Sequence, residues 1–439
     1  MNDETLPPPS IDGLSERSQH LLIKQLHALS DAHAVVTEDQ LTDTLDSLRQ
    51  DLDGQPLAAL EETLDWLRDA GLYSISAPLL EEAWAAELPL DFLGRVAQDW
   101  VGSILFGLGD ERGAMEVATF LEKRAIELGP SLCRDLSDLW IEWGLFESAE
   151  PLALSVHTRQ PGEQSALFHL LLCAKMRGDW EQAEHWLKRL DEARVGAEAG
   201  EAAVEWNRGL IAVVRHDWAT AVKAWERVGF SLPEQIGSGG DYATPGELCP
   251  VRLKISLEDV ERSEGRLPRS EVVWGRRIGP ARIELSGLPY HHPHFRSGDI
   301  LLVDGVREGQ VDYNGQSYPV VPALEVWKKS SGETLRFYGI QTQVQHVIAL
   351  DRLAQKLGGE GWPISNWTRL VRRETSSGEP LLQVGLYLSP DRELSQFKDE
   401  LEALIQDQRL PELFCPRYAE LTGGDVHLHQ SKWLEWGVE

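Results

Sequence analysis

The chain has 439 residues, too many for one ordinary core, and its 42% hydrophobic and 26% charged content is that of folded globular proteins, which excludes wholesale disorder and predicts two or three domains. Its formal net charge of −29 repels phosphate backbones, so nucleic acid is not expected as a partner, whereas basic proteins or tails would be attracted. Cys133, Cys173, Cys249 and Cys415 lie far apart with no CxxC pair, which argues against a zinc ribbon or a disulfide framework and suits a reducing cytoplasm.

The opening segment, MNDETLPPPS, is acidic and proline-rich, so residues 1–13 are expected to be a disordered lead. It has no apolar stretch of the signal-peptide kind, and no run of about 18 apolar residues occurs anywhere; a membrane role is not expected. From Leu14 to residue 230 apolar residues recur at helical spacing, broken every fifteen to twenty residues by glycine or polar turns, and the segment reads as all helix. This is also the acidic part of the chain, with 41 Asp and Glu against 19 Lys and Arg before residue 231.

Five short turns then align: Ala70-Gly71-Leu72, Leu108-Gly109-Asp110, Trp143-Gly144-Leu145, Arg177-Gly178-Asp179 and Arg215-His216-Asp217, spaced 38, 35, 34 and 38 residues apart. Four of them are followed by an aromatic, Tyr73, Phe146, Trp180 or Trp218, and all five by a small residue five positions past the turn: Ser76, Ala114, Ala149, Ala183 and Ala221. A small side chain there lets two helices approach closely, so the pattern predicts stacked helical hairpins. With RGDWEQAEHWLKRL and RHDWATAVKAWERV as its best-matching second helices, the region from about 57 to 230 resembles the tetratricopeptide repeat (TPR) family. Gly102 and Gly209 fall where that family places a small residue on its first helix, and residues 14–56 are expected to cap the array.

The resemblance implies a partner-binding groove along the first helices. Carried over position by position, its inward-facing residues are Asp99, Trp100, Ser103, Arg134, Asp135, Asp138, Phe168, His169, Leu172, Trp206, Asn207 and Leu210. Such a mixture suits an extended or helical peptide. Asn207 matches the groove asparagine of chaperone-binding members, but the basic residues with which those members clamp a C-terminal carboxylate have no counterparts here. Of the 16 tryptophans, most are expected to be helix-packing wedges; Trp100, Trp206, Trp362 and Trp367 are the contact candidates.

Residues 231–249, rich in glycine, proline and polar side chains, read as a linker. Strand-like runs follow at Val251, Glu271, Ala281, Asp299, Ala323 and Leu335, with Asn314-Gly315 suited to a tight hairpin, so 250–345 is expected to be a small, curled, mainly antiparallel β domain. The remainder, 346–439, reads as an α+β lobe: a helix from Val344, a strand from Leu381, a helix from Asp391 to about Gln406 and a strand around Asp425 to His429.

Chemistry-bearing motifs are few. No G-x-S-x-G, phosphate-binding loop or dinucleotide fingerprint is present, so neither a catalytic centre nor a cofactor is expected. His291, His292 and His294 cluster in YHHPHF, and a strand would put Asp425, His427 and His429 on one face; together they form the candidate metal set of a rival, hydrolase- or nuclease-like reading of the second half. A third reading, RNA binding, rests on the basic, aromatic segment WPISNWTRLVRR together with Arg276, Arg277, Lys328 and Lys329. The expected function is a non-catalytic scaffold, adaptor or regulatory subunit that holds a peptide or protein in the helical groove.

Overall fold

The computed structural model describes residues 14–30, 37–53, 55, 57–86, 88–194, 202–230, 246–256, 259–260, 263, 267–292, 294–407 and 409–438. The expected lead, 1–13, and most of the expected linker, 231–245, lie outside the described residues. The chain divides into two compact units, Met1–Glu198 and Ala199–Glu439.

The first unit is built of helices. α1 (Glu16–Ser30) and α2 (Glu38–Leu52) form one pair, joined by a buried 2.8 Å hydrogen bond from Ser18 to Ser47. Four hairpins follow: α3 (Leu57–Asp69) with α4 (Tyr73–Ala85), α5 (Leu90–Gly102) with α6 (Glu111–Leu128), α7 (Pro130–Glu142) with α8 (Phe146–Arg159), and α9 (Gln164–Met176) with α10 (Trp180–Ala193). A short π-helical segment, Ser103–Gly107, extends α5. First helices pack on first helices, α5 on α7 and α7 on α9, and second helices on second helices, α6 on α8, so the unit has two layers. This is the TPR-like helical region anticipated from the repeat.

The local chemistry of each turn explains why these sequences turn where they do. Gly71, Gly109, Gly144 and Gly178 have φ of 72°, 66°, 77° and 71°, the left-handed region that ends a helix without a Cβ penalty. Asp110 and Asp179 then cap the next helix by accepting the backbone N–H of Gly113 and Gln182. The small residues Ser76, Ala114, Ala149 and Ala183 are at most 1% exposed, at the contact between helices.

The second unit begins with a fifth hairpin of the same form, α11 (Ala202–Val214) and α12 (Trp218–Arg227). Its turn residue, His216, takes φ of 58° although it is not glycine, and Asp217 caps α12 through the N–H of Thr220. The sequence placed this hairpin with the helical half and the boundary at 231–249. The hairpin lies in the second compact unit, where its aromatic side chains meet the barrel. The Trp206 indole donates to Asp304 (3.1 Å), the Arg282 guanidinium lies 4.5 Å from the Trp218 ring centre, and the His216 and Trp327 rings are 5.2 Å apart.

Five strands close into a barrel in the order β1 (Leu248–Lys254), β2 (Ser270–Gly279), β3 (Arg282–Leu285), β4 (Ile300–Val303), β7 (Val321–Lys328). Successive strands run antiparallel, and because their number is odd the closing pair, β1 with β7, is parallel. Val251, Leu253, Ile283, Leu301 and Val303 fill the interior. β5 (Gln310–Tyr313) and β6 (Gln316–Pro319) form the hairpin anticipated at Asn314-Gly315, whose φ of 51° and 76° are those of a tight primed turn.

The strand after the barrel, β8 (Glu333–Ile340), does not join it. It pairs with β10 (Leu381–Leu388), which also pairs with β9 (Ile364–Asn366), in a three-stranded antiparallel sheet. α13 (Val344–Gly359) and α14 (Ser395–Gln406) cover that sheet around Phe337, Leu353 and Phe397. α15 (Pro416–Thr422) and α16 (Val426–Glu435) end the chain. The strand expected around Asp425 to His429 is therefore the start of a helix. Asp425 is its N-cap, accepting the N–H of Leu428 at 3.0 Å, and that capping chemistry outweighs a five-residue alternation that a helix also tolerates.

Candidate functional site

The first helices of the first unit each bury one face and leave a stripe outside. In α5, Phe92, Leu93, Val96, Ala97, Trp100 and Val101 are buried, while Asp91 and Arg95 are exposed and Asp99 is half-buried. In α7 the buried set is Leu132, Cys133, Leu136, Ser137 and Trp140, leaving Asp135 and Asp138 exposed and Arg134 half-buried. In α9 eight of the thirteen residues are buried, and Phe168 and Leu172, one turn apart, stay half-exposed. Helical periodicity thus sorts the residues at the inward positions into those that hold the stack together and those that can still meet a partner.

The accessible group comprises Asp99, Arg134, Asp135, Asp138, Phe168 and Leu172. The Asp99 carboxylate is 3.1 Å from the Arg68 guanidinium of α3; burial nevertheless pushes its pKa above the usual carboxylate range, against the pull of that arginine. Asp135 is also raised, by burial first; Arg134 opposes the shift, and the negative charges of Asp138 and Asp91 reinforce it. Arg68 also pairs with Asp65 at 2.9 Å, and Arg95 with Glu61. The stripe across α5 and α7 is therefore predominantly anionic, next to an apolar patch on α9.

His169 is 6% exposed and links this stripe to the core. Its Nε2 is 2.7 Å from an Asp138 oxygen and its Nδ1 is 3.0 Å from Ser137 Oγ, so with Nε2 protonated it donates to Asp138 and accepts from Ser137. Burial lowers the His169 pKa; Asp138 and Glu163 pull it the other way. No spacing signals this two-sided arrangement, since Ser137 and Asp138 are adjacent and His169 lies one repeat later. Asp91 was also missed, although it sits two turns before Asp99 on the same helix, a spacing that marks a shared face.

The remaining expected groove residues are placed differently. Trp100 is 5% exposed and packs edge-on against Phe120, and Ser103, also buried, lies 3.4 Å from the Ser76 hydroxyl; both belong to helix packing. In the second unit, Leu210 is fully buried, and Asn207 is 3% exposed with its amide donating to the Ala203 carbonyl at 2.7 Å. Trp206 is half-buried beside Trp225 and Phe230, with ring centres 6.0 and 5.5 Å away, and its indole faces Asp304. Each of these five packs within its own unit.

The two histidine clusters do not form one ligand set. The His291 backbone N–H donates to Glu271 (2.9 Å), His292 Nε2 is 2.8 Å from the Lys254 carbonyl, and His294 is exposed. His429 Nδ1 accepts the N–H of Cys415 at 2.8 Å, His427 is exposed, and Asp425 is occupied as a helix cap. Among the described residues no group of three or more His, Cys, Asp or Glu is placed to hold a metal ion. In the basic segment, Trp362 and Trp367 are 4% and 0% exposed, so neither ring offers a stacking face. Arg369 and Arg372 pair with Asp351 (2.6 Å) and Glu374 (2.9 Å), and Arg373 donates to the Gly437 carbonyl (3.0 Å).

No protein-family model matches the chain, and no curated protein matches it. Among similar solved structures, BtubC (BKLC) from P. vanneervenii is 17% identical over 45% of this chain and 93% of its own, with a TM-score of 0.30. PilW, a widely conserved type IV pilus biogenesis factor, is 12% identical over 49% and 93%, at 0.29. A tetratricopeptide repeat protein from Parabacteroides merdae ATCC 43184 is 13% identical over 49% and 95%, at 0.23. The repeat character of this chain stands on its own turns, caps and small-residue contacts.

Proposed function

We propose that this chain is a non-catalytic scaffold or adaptor whose helical unit holds a segment of another protein along α5, α7 and α9, with Asp99, Arg134, Asp135, Asp138, Phe168 and Leu172 as the contact residues. One observation supports the reading: on three successive first helices, at the positions the repeat family turns inward, these side chains are exposed or half-exposed while their neighbours build the core. Anionic groups beside an apolar patch fit an extended segment that combines lysine or arginine with large apolar residues, the charges selecting and the apolar contacts supplying affinity. Residues 1–198 carry 37 Asp and Glu against 15 Lys and Arg, so the field around the unit attracts such a segment.

A reducing compartment such as the cytoplasm fits the four free, buried cysteines, and no helix among the described residues is long and apolar enough to cross a membrane. Burial pushes the Cys173 and Cys415 thiols up to about 12 and about 11, which keeps them unreactive.

The test is fluorescence anisotropy with a short, labelled, lysine- and leucine-rich peptide. Binding should weaken as salt is raised and should be lost in an Asp135→Asn, Asp138→Asn, Phe168→Ala variant that keeps its helical circular dichroism. Equal binding by that folded variant would remove the wall from the proposal.

A further inference from the structure

Apart from the helical wall, the second unit contains a cleft of about 250 Å³ where the barrel meets the three-stranded sheet. Its floor is buried: Leu285, Ser297 and Tyr387 are 1%, 3% and 7% exposed. Its rim carries Arg276 of β2 and Glu284 of β3, which are directly opposed across the strand pair, both exposed.

Opposite charges at directly facing positions ordinarily pair, since their Cβ atoms are only about 5 Å apart. Here they do not. Neither Arg276 nor Glu284 makes a side-chain hydrogen bond or salt bridge among the described residues, so a guanidinium and a carboxylate stand side by side over the same cleft, each with its bonding capacity unspent. The Tyr387 hydroxyl adds a third polar group. It accepts the Gly332 N–H at 3.1 Å, which leaves its own proton to donate. Gly298 has φ of 80°, and a Cβ there would come within 3.5 Å of that hydroxyl, so its bare backbone keeps this side of the cleft open.

From this geometry we infer that the cleft is a binding site for a small zwitterion of the amino-acid class, the ligand carboxylate meeting Arg276, its ammonium meeting Glu284, and a compact apolar side chain resting against the Tyr387 ring. A lone anion would be opposed by Glu284 and a lone cation by Arg276; a ligand carrying both charges satisfies both. The size agrees. At a water's share of about 30 Å³, the cleft corresponds to roughly eight waters, room for a molecule of about nine non-hydrogen atoms such as leucine. This inference is independent of the helical wall and of any partner bound there.

The experiment is calorimetric titration of the full chain with L-leucine, L-leucinamide and N-acetyl-L-leucine, repeated on Arg276→Ala and Glu284→Ala. Both side chains are exposed, so the variants should keep the wild-type circular dichroism and melting midpoint. Saturable leucine binding is expected, at least tenfold tighter than either derivative, with each substitution weakening leucine at least tenfold. Arg276→Ala should leave leucinamide unchanged, because that ligand has no carboxylate to lose. The inference is overturned by an absence of saturable leucine binding, by derivatives that bind as tightly as leucine, or by variants whose leucine affinity is unaltered.

Discussion

Replacing Trp206 separates two roles that one tryptophan on a TPR-like first helix could have. Its indole N–H donates to Asp304 at 3.1 Å, and its ring lies so close to Gly305 that a Cβ there would come within 2.6 Å of it. Trp206→Phe removes the hydrogen bond and keeps most of the ring. A bond to a charged acceptor contributes about 1.5–3 kcal/mol, and Asp304 retains the Gly305 N–H (2.7 Å), so the expected loss is at the low end, about 1–2 kcal/mol. Trp206→Ala also removes the contacts with Trp225 and Phe230. A fully buried tryptophan costs about 3–5 kcal/mol on truncation, and Trp206 is half-buried, so about 2–4 kcal/mol is expected. Urea denaturation gives the magnitude, and hydrogen exchange at residues 202–214 and 300–306 gives the location. Both segments should lose protection together, with peptide binding to the first unit unchanged. If exchange at 300–306 stays at the wild-type level, or if peptide binding is lost while the urea midpoint holds, the assignment of Trp206 to the barrel is wrong.

Two further outcomes follow from packing and burial. Gly209→Ala gains helix propensity of about 1 kcal/mol, yet its Cβ would lie 2.3 Å from the buried Trp225 indole, an overlap costing about 1–3 kcal/mol; the urea midpoint should fall. Gly102→Ala meets Trp143 at 3.3 Å, a contact relieved by a few tenths of an ångström, so it should be neutral or stabilising by comparison. Burial holds the His169 pKa below its ordinary value, so the unfolded chain takes up a proton there more readily than the folded one. That stability is fully present above the unfolded pKa of about 6.5 and is lost as pH falls through the folded value. His169→Gln, which can still donate to Asp138 and accept from Ser137, should therefore show a smaller loss of melting midpoint between pH of about 7.5 and 5.5 than the wild type.

The repeat was legible because its signals are local. A residue that ends one helix in the left-handed region, a cap that starts the next and a small side chain five positions past the turn all lie within one short segment, and aligning the segments located all five turns, including the one where His216 stands in for glycine with φ of 58°. The β-hairpin at Asn314-Gly315 was readable for the same reason. The Asp425 to His429 segment was misread because five alternating residues fit a strand and the first turn of a helix alike, and the cap that decides between them was counted as a metal ligand. At the positions the repeat family turns inward, burial differs from residue to residue: Asp135 and Asp138 are exposed whereas Trp100 and Ser103 are buried. Trp100 looked like a contact because tryptophan is common in binding sites; here Phe120 lies against it.

The fifth hairpin shows where such reading stops. Its turn, cap, wedge aromatic and small residue all match the preceding four, so nothing within 202–230 distinguishes a hairpin that extends the array from one that serves the barrel. The distinction comes from Asp304, 98 residues further on, which supplies the acceptor for Trp206. An inward-facing aromatic with a polar edge is suited equally to a peptide from another chain and to a turn of its own chain, because both present a carboxylate and bare backbone. Repeat periodicity therefore encodes how a hairpin folds and which face it offers, and the occupant of that face is written elsewhere in the sequence. In the first unit Asp135, Asp138, Phe168 and Leu172 stay exposed or half-exposed, and that accessibility is the physical reason to test α5, α7 and α9 for binding before α11.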